Sequence, residues 1–115
     1  MATFTKLKLS GSTNGRGIAV AATATLGTTI HTAHATALDE VWLYAANIHS
    51  SAVVLTVEFG GVTVTSDLIQ QSIAATPSGL VLVCAGLLVT GSVVVTAFAG
   101  TANKIEIFGF VNRIA

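Results

Sequence analysis

The stretch from Leu68 to Asn103 constrains the fold most, because it contains no Asp, Glu, Lys or Arg. A segment this apolar has to leave water, as a membrane span, in the core of a β domain or at a seam between subunits. A membrane-spanning helix needs about 20 consecutive apolar residues. Here Gly and polar residues divide the stretch into apolar pieces of three to six residues. Pieces of that length are typical of strands.

The composition of the apolar stretch also favours strands. Val and Thr fit a pleated surface, whereas Gly inside a helix costs up to about 1 kcal/mol relative to Ala. The sequence therefore predicts two buried strands, Leu80–Val89 and Val93–Ala99, joined as a hairpin by Thr90–Ser92. A membrane helix and a membrane-inserted β hairpin are the alternatives.

The low charge content of the whole chain predicts that neighbouring molecules cover its surface. At 115 residues the chain forms one domain. Only 9% of its residues are charged, against roughly 25% in an ordinary soluble domain, and 52% are hydrophobic. A single copy with so few charges would tend to associate. We therefore expect a permanent partner, which is a further copy, another protein or both.

Charge and cysteine content exclude several classes of function. The formal net charge is zero and the five basic residues are scattered, so no electrostatic attraction to nucleic acid or to an acidic membrane is expected. Cys84 is the single cysteine, so no disulfide forms within the chain. The first ten residues alternate in polarity and do not resemble a signal peptide, so export by the usual route is not expected.

The clearest strand pattern in the first half is Asp39–Ile48. Val41, Leu43 and Ala45 fall on one face, and Trp42, Tyr44 and Ile48 fall on the other. Since both faces are apolar, one is expected to meet the core and the other a partner or a second sheet. Ala52–Phe59 is predicted to return as the antiparallel partner of this strand, with Val53, Leu55, Val57 and Phe59 inward and Val54, Thr56 and Glu58 outward.

The remaining segments complete an all-β chain. Asn103–Arg113 places Ile105, Ile107, Gly109 and Val111 on one face, and Lys104, Glu106, Phe108 and Phe110 on the other. Other strands are predicted at Thr3–Leu9, Gly17–Thr25, Gly27–Ala33, Val62–Thr65 and Leu68–Ala74. Thr3–Leu9 reads equally as an arm that lies on a neighbour. Seven to nine short strands without a helical pattern indicate a single-domain antiparallel β-sandwich or jelly-roll-like fold.

The search for catalytic or metal-binding chemistry finds no persuasive site. His31 and His34 are spaced for metal binding on a helix, but on a strand they face opposite sides, so both are expected at the surface or in an interface. The glycine-rich loop Ser10–Gly17 lacks the Gly-Lys-Ser/Thr ending of a phosphate-binding loop and is expected to be flexible.

The acidic residues and the single thiol are expected to be structural. The acidic residues occupy predicted strand ends or outer faces and are interpreted as solubilising charges; they are Asp39, Glu40, Glu58, Asp67 and Glu106. Cys84 lies in an apolar strand, where its pKa should rise and its reactivity fall. We expect no enzyme activity, no cofactor and no metal.

Several segments resemble small virion proteins of tailed bacteriophages that decorate, or cement, the capsid. The resemblance covers about residues 39–114 and rests on packing motifs. These are the start Met-Ala-Thr-Phe-Thr-Lys, Glu40–Asn47, Val57–Gly61, Ser78–Val83, Ala97–Ala99 and Asn103–Ile114. It implies a structural virion protein, made in the host cytoplasm, that binds the outside of the capsid. Its partners would be copies of itself, commonly in a trimer, and the major capsid protein.

The resemblance further implies an extended N-terminal arm at residues 1–17 and a β-sandwich domain at residues 18–115. Under this hypothesis the oligomer interface contains Trp42, Tyr44, Phe108 and Phe110, and the arm binds the capsid through Phe4, Lys6, Lys8 and Arg16. A tail or fibre module shares the predicted fold and is one alternative. A carbohydrate- or receptor-binding jelly roll is another, and it requires an exposed aromatic platform beside polar side chains.

Overall fold

The computed structural model describes residues 2–115 as two antiparallel sheets packed face to face. Sheet A has the order β1-β9-β4-β7, with the two-residue strand β2 also paired to β9, and sheet B has the order β3-β8-β5-β6. The strands are β1 (Phe4–Lys8), β2 (Ile18–Ala19), β3 (Thr28–Thr32), β4 (Leu38–Asn47), β5 (Val53–Phe59), β6 (Leu68–Ile73), β7 (Val81–Val89), β8 (Val94–Ala99) and β9 (Ile105–Ile114). The predicted all-β sandwich is confirmed.

The strand pairing is nested about the β5–β6 turn. β5 pairs with β6, β4 with β7, β3 with β8 and β1 with β9, as in one long ribbon folded at its middle. Additional pairings of β4 with β9 and of β5 with β8 roll this ribbon into two sheets. Such a rolled antiparallel ribbon has the connectivity of a jelly roll.

Both hairpins predicted between neighbouring strands are wrong. β4 and β5 lie in different sheets, and so do β7 and β8, because the short connections between them cross from one sheet to the other. The residues around Thr90–Ser92 therefore connect β7 of sheet A to β8 of sheet B. Val62–Thr65 is also no strand but part of the turn between β5 and β6. Alternation along a strand identifies its two faces but not its partner.

The core lies between the sheets and is built from the faces that alternation predicts. Val41, Leu43 and Ala45 of β4 are fully buried, and Ile105, Ile107 and Val111 of β9 pack beside them. Opposite them, sheet B contributes Val53, Leu55, Val57, Ile73, Val95, Ala97 and Ala99. Gly109 has a structural reason to be glycine, since a Cβ there would lie 2.0 Å from the carbonyl oxygen of Trp42.

β7 differs from the predicted buried strand. It is the last strand of sheet A, and only Cys84 along it is fully covered. Two irregularities interrupt its pairing with β4, where Gly86 and Val83 are left without a partner. Such bulges are frequent at sheet edges. β8, in contrast, is mostly buried in the middle of sheet B, as predicted.

The N-terminal segment that the sequence predicts as an arm on a neighbour is instead a strand in the sandwich of its own chain. β1 pairs with β9 from Phe4 opposite Ile114 to Lys8 opposite Phe110, and Leu9 is buried in the core. The boundary at residue 17 is therefore no structural boundary, because residues on both sides of it contribute to sheet A and to the core.

Two acidic residues and one histidine that were predicted at the surface are buried. Asp39 is fully buried on the inner face of β4, where it contacts Arg113 and His31. Glu58 faces outward from sheet B as predicted, but the segment before β3 covers it. His31 is 1% exposed, whereas His34 is exposed as predicted. Hydrogen bonding, which a strand pattern does not reveal, makes these positions tolerable for polar groups.

Candidate partner-binding surface

The outer face of sheet A carries the four aromatic residues that were predicted to lie in an interface. Alternation along β4 and β9 turns all four away from the core, and the register places Trp42 opposite Phe110 and Tyr44 opposite Phe108. We call these four residues the aromatic block. Each member is half-buried. The structure brings the predicted residues together, and their contact with a partner stays a prediction.

The rings of the aromatic block are covered mainly by one another and by their neighbours in the sheet. Trp42 and Phe110 are stacked, with ring centroids 6.0 Å apart and planes 8° from parallel. On the β7 side, Gly86 lies so close to the indole that an added Cβ would be 3.1 Å from Cζ2 of Trp42. The Lys6 ammonium lies 5.1 Å from the centroid of Phe110. Phe110 and Gly86 therefore cover part of the Trp42 indole.

A polar contact fixes the orientation of the indole. Nε1 of Trp42 donates to Oε1 of Glu40 at 2.7 Å, and Nδ2 of Asn112 donates to the same oxygen at 3.1 Å. These two hydrogen bonds lower the pKa of the Glu40 carboxyl below its ordinary value. A fixed side chain loses little further conformational freedom on binding, so the outer face is preorganised.

The residues predicted to bind the capsid adjoin the aromatic block. Phe4, Lys6 and Lys8 of β1 pair with Ile114, Asn112 and Phe110, so they point to the same outer face, and all three are exposed.

Arg16 lies at the margin of the same face. It lines an open groove together with Gly17, Glu106 and Phe108. The sequence assigned the two residue groups to separate regions, an arm and an interface. The structure instead joins them in one continuous surface.

Sequence reasoning missed a second apolar surface along β7. Four leucines there are strongly exposed, namely Leu80 (59%), Leu82 (47%), Leu87 (44%) and Leu88 (55%). We call them the leucine rim. The signal was present in the charge-free stretch, but that stretch was assigned to the core, although a seam between subunits was one of the three possibilities.

His31 and Cys84 are buried and engaged in contacts within the fold. Both ring nitrogens of His31 are engaged, since Nε2 contacts Asp39 at 2.8 Å and Nδ1 accepts from the amide of Ser10 at 3.1 Å. Among residues 2–115 there is no group of three or more His, Cys, Asp or Glu side chains that could hold a metal ion. Burial raises the pKa of the Cys84 thiol, as predicted. The aromatic block and the leucine rim can bind a partner through apolar and aromatic contacts.

Residues 2–115 include no helix that is long and apolar enough to cross a membrane.

Comparison with protein family models, with curated proteins and with solved structures gives no significant match to this chain.

Proposed function

We propose that this chain is a structural protein of a tailed-bacteriophage virion that oligomerises and binds the outside of the capsid. In that position it would stabilise the joints between major capsid subunits. The single observation that carries the proposal is the outer face of sheet A, where an ordered aromatic block lies beside exposed lysines on a chain that is otherwise poor in charge. The resemblance to phage decoration proteins supplies the biological setting.

The two outer faces of the sandwich differ in a way that suits a one-sided contact. On sheet B the outward side chains include Thr56, Glu58, Gln70 and Thr96, which bond to one another or to the covering segment. On sheet A the outward side chains include the aromatic block, the neighbouring residues of β1 and the leucines Leu82 and Leu88. Sheet B has the half-buried Phe98 among its outward side chains. Aromatic residues are enriched at protein interfaces, so sheet A is the side that meets a partner.

A decoration protein needs many contacts that act together more than it needs one strong contact. If several copies are joined, each contact with the shell raises the effective concentration of the next, and weak contacts give lasting attachment. Lys6 and Lys8 lie at the free edge strand β1, where they can reach acidic groups on a shell.

The alternative of a carbohydrate-binding jelly roll has less support from the geometry. A sugar stacks on an exposed ring face, whereas the indole of Trp42 lies between Phe110 and Gly86. A tail or fibre module is compatible with the same fold and the same outer face. Location in the particle separates that alternative from capsid decoration.

Co-sedimentation with capsids tests the proposal. Purified chain is mixed with capsids assembled from the major capsid protein of the same phage, and bound chain is quantified. We expect saturable binding, and we expect the pair of substitutions Lys6→Glu and Lys8→Glu to weaken it at least tenfold. As a control, the pair of substitutions Thr32→Glu and Ser72→Glu adds two negative charges at exposed positions on the outer face of sheet B and should leave binding nearly unchanged.

Two outcomes would count against the proposal. Wild-type chain that does not bind capsids under any salt condition contradicts capsid decoration. Binding that tolerates the reversal at Lys6 and Lys8 contradicts the assignment of β1 to the contact. Charge reversal is the sharper test here, because deleting residues 2–17 would remove a strand of sheet A and the buried Leu9.

A further inference from the structure

We infer that the leucine rim of β7 is the surface through which two copies of this chain meet. The inference rests on the proposed function, because it names where the proposed oligomer forms. It differs from the sequence-based hypothesis, which placed the contact on the aromatic block alone. Three properties of the rim support this contact, namely its exposure, the shape of its backbone and the charge around it.

The solvent exposure of the four leucines is the first observation that indicates a contact at the rim. Leu80, Leu82, Leu87 and Leu88 together expose about as much surface as two fully exposed leucines. The members of the aromatic block expose less surface, because they are half-buried and Trp42 and Phe110 already pack against each other. Contact with a partner removes apolar surface from water in proportion to the area covered. The rim therefore has the larger unsatisfied apolar surface.

The backbone of β7 determines how a partner can contact the rim. A free edge strand normally offers a regular row of N–H and C=O groups to another strand. In β7 the extra residues Val83 and Gly86 interrupt that row twice within nine residues, and Gly86 has a φ of +73°. Bulges of this kind hinder edge-to-edge strand pairing. The contact is therefore made by packing of side chains and not by extending the sheet.

The bulges also explain why Leu82 and Leu88 lie on the outer side, whereas Leu87 lies opposite the buried Val41 and is exposed at the open edge of the sheet. The register places Leu82, Ala85 and Leu88 opposite Tyr44, Trp42 and Glu40, all of which point outward from β4. Outward residues thus recur every three positions instead of every two. The rim is consequently continuous with the aromatic block, and one contact can cover both.

The absence of charged residues on the rim favours a second copy of the chain as its partner. A two-fold contact brings residue i of one copy to residue j of the other and sets groups near the axis beside their own equivalents, where like charges would repel. β7 lies within the stretch from Leu68 to Asn103, which contains no Asp, Glu, Lys or Arg.

Two carboxylates lie at the margins of the rim. Glu40 accepts from Trp42 and Asn112, and Asp67 accepts from Thr63 and Ser66; because these donors are neutral, both carboxylates keep their negative charge. The contact with a second copy therefore leaves both carboxylates at its solvated margin.

A stable contact needs more buried area than the leucine rim alone provides. A stable interface buries about 800 Å² on each partner, whereas this chain exposes 5888 Å² in all. The exposed area of the four rim leucines, equal to that of about two fully exposed leucines, is smaller than this. The contact therefore includes neighbours of the rim, such as Tyr44 on the outer face and the groove between Phe59 and Leu88 at the open side of the sandwich.

Measurement of the solution mass tests the inference. Wild-type chain and the double variant Leu82→Lys, Leu88→Lys are compared by sedimentation velocity over a wide concentration range. We expect the variant to raise the dissociation constant of the oligomer at least tenfold. The control is the double variant Val54→Lys, Val94→Lys, which places the same added charge on two exposed outward positions of sheet B and should leave association unchanged. Circular dichroism confirms that each variant is folded.

Oxidative cross-linking gives a second readout that introduces no charge. The rim residue nearest the two-fold axis can be bridged to its own equivalent, so at least one of the single variants Leu80→Cys, Leu82→Cys, Leu87→Cys and Leu88→Cys should form a covalent dimer under mild oxidation. Val54→Cys should not, and the native Cys84 is buried and does not compete. Folded lysine variants that associate as tightly as wild type, or absence of a covalent dimer from all four cysteine variants, would overturn the inference.

The outcomes separate this inference from the proposed function. If the lysine variants keep their oligomer but lose binding to capsids, the rim contacts the shell and the inference is wrong while capsid decoration stands. If wild-type chain is a monomer at all concentrations, the oligomeric part of the proposed function fails together with it. If the oligomer forms through the rim but does not bind capsids, the inference holds and capsid decoration fails.

Discussion

Arg113 forms a two-point ion pair with Asp39 in the interior of the sandwich. Its Nε lies 2.7 Å from Oδ1 and its Nη2 lies 2.9 Å from Oδ2. Oδ2 also contacts Nε2 of His31 at 2.8 Å and accepts from the amide of His34 at 3.2 Å. The contact joins β9 and β4 of sheet A to β3 of sheet B. One buried carboxylate thus links the two sheets.

Removal of the guanidinium should destabilise the fold strongly. Asp39 is fully buried, and loss of one partner of a buried ion pair typically costs 3–5 kcal/mol because the other charge is left uncompensated. Since the Arg113 side chain is 27% exposed, we expect Arg113→Leu to lower the free energy of unfolding by about 3 kcal/mol. Urea denaturation measures this. Arg16→Leu, at an exposed arginine, should change it by less than about 0.5 kcal/mol. Equal effects would contradict the role of the pair.

Stability should fall in acid because Asp39 must stay ionised. Hydrogen bonds from Arg113 lower the pKa of Asp39 to about 2, against the partly opposing effect of burial. A carboxyl whose pKa is lower in the folded than in the unfolded chain stabilises the fold above the unfolded pKa, near 3.9. That contribution, about 2 kcal/mol, is lost as the pH falls from about 5 towards 2.

The variant Asp39→Asn isolates the acid effect. It should be less stable than wild type in urea at pH 6, and the difference should shrink as the pH approaches 2. Acid effects from other carboxyls cancel in the comparison, because both proteins contain them. A difference that stays constant over this range would show that ionised Asp39 does not contribute as described.

Glu58 presents a second buried carboxylate, which is held by neutral donors. Thr25 donates to Oε2, while the amide of Gly27 and the hydroxyl of Thr96 donate to Oε1 at 2.8 and 2.7 Å. Burial raises the pKa of Glu58, but these three hydrogen bonds outweigh it, so the pKa lies below its ordinary value. The carboxylate therefore fastens the segment before β3 over the outer face of sheet B.

Replacement of Glu58 by Gln should loosen that segment. Gln keeps one acceptor oxygen but lacks the charge, so the hydrogen bonds from Gly27 and Thr96 weaken and the hydroxyl of Thr25 must turn to accept from the new amide, at a cost of about 1–3 kcal/mol. We expect the loss in urea denaturation, with faster hydrogen exchange at the amide of Gly27. Glu106→Gln makes the same change at a half-buried position on sheet A and should alter stability by less than about 0.5 kcal/mol. Unchanged exchange at Gly27 would refute the fastening role.

Strand faces were predictable from the sequence, because a period of two is a local property of the chain. Alternation in β4 identified Val41, Leu43 and Ala45 as inward, and alternation in β9 identified Phe108 and Phe110 as outward. The aromatic block follows from these two patterns once β4 and β9 are known to pair. Alternation does not predict that pairing, because it identifies the faces of a strand but not its partner, and the two strands are far apart in sequence.

Other features escaped prediction because they depend on contacts between distant segments. Asp39 continues the inward face of β4, but its polarity suggested a strand end, and its partner Arg113 is 74 positions away. The bulges in β7 change its period from two towards three, so no alternation could assign its leucines. An apolar strand at a sheet edge and one in a sheet centre have the same composition.

The fluorescence of Trp42 can decide how far the oligomer contact extends from the leucine rim. Trp42 is the only tryptophan, it is half-buried, and it lies opposite Ala85 on β7. If the contact covers the aromatic block as well as the rim, emission should shift to shorter wavelength over the concentration range in which the mass rises. The Leu82→Lys, Leu88→Lys variant should show no shift in that range. A rise in mass without a shift in emission would confine the contact to the rim, because transfer of the indole out of water changes its emission whichever residues cover it. That result would leave the aromatic block free to meet a different partner, and the capsid would then be the surface to test against it.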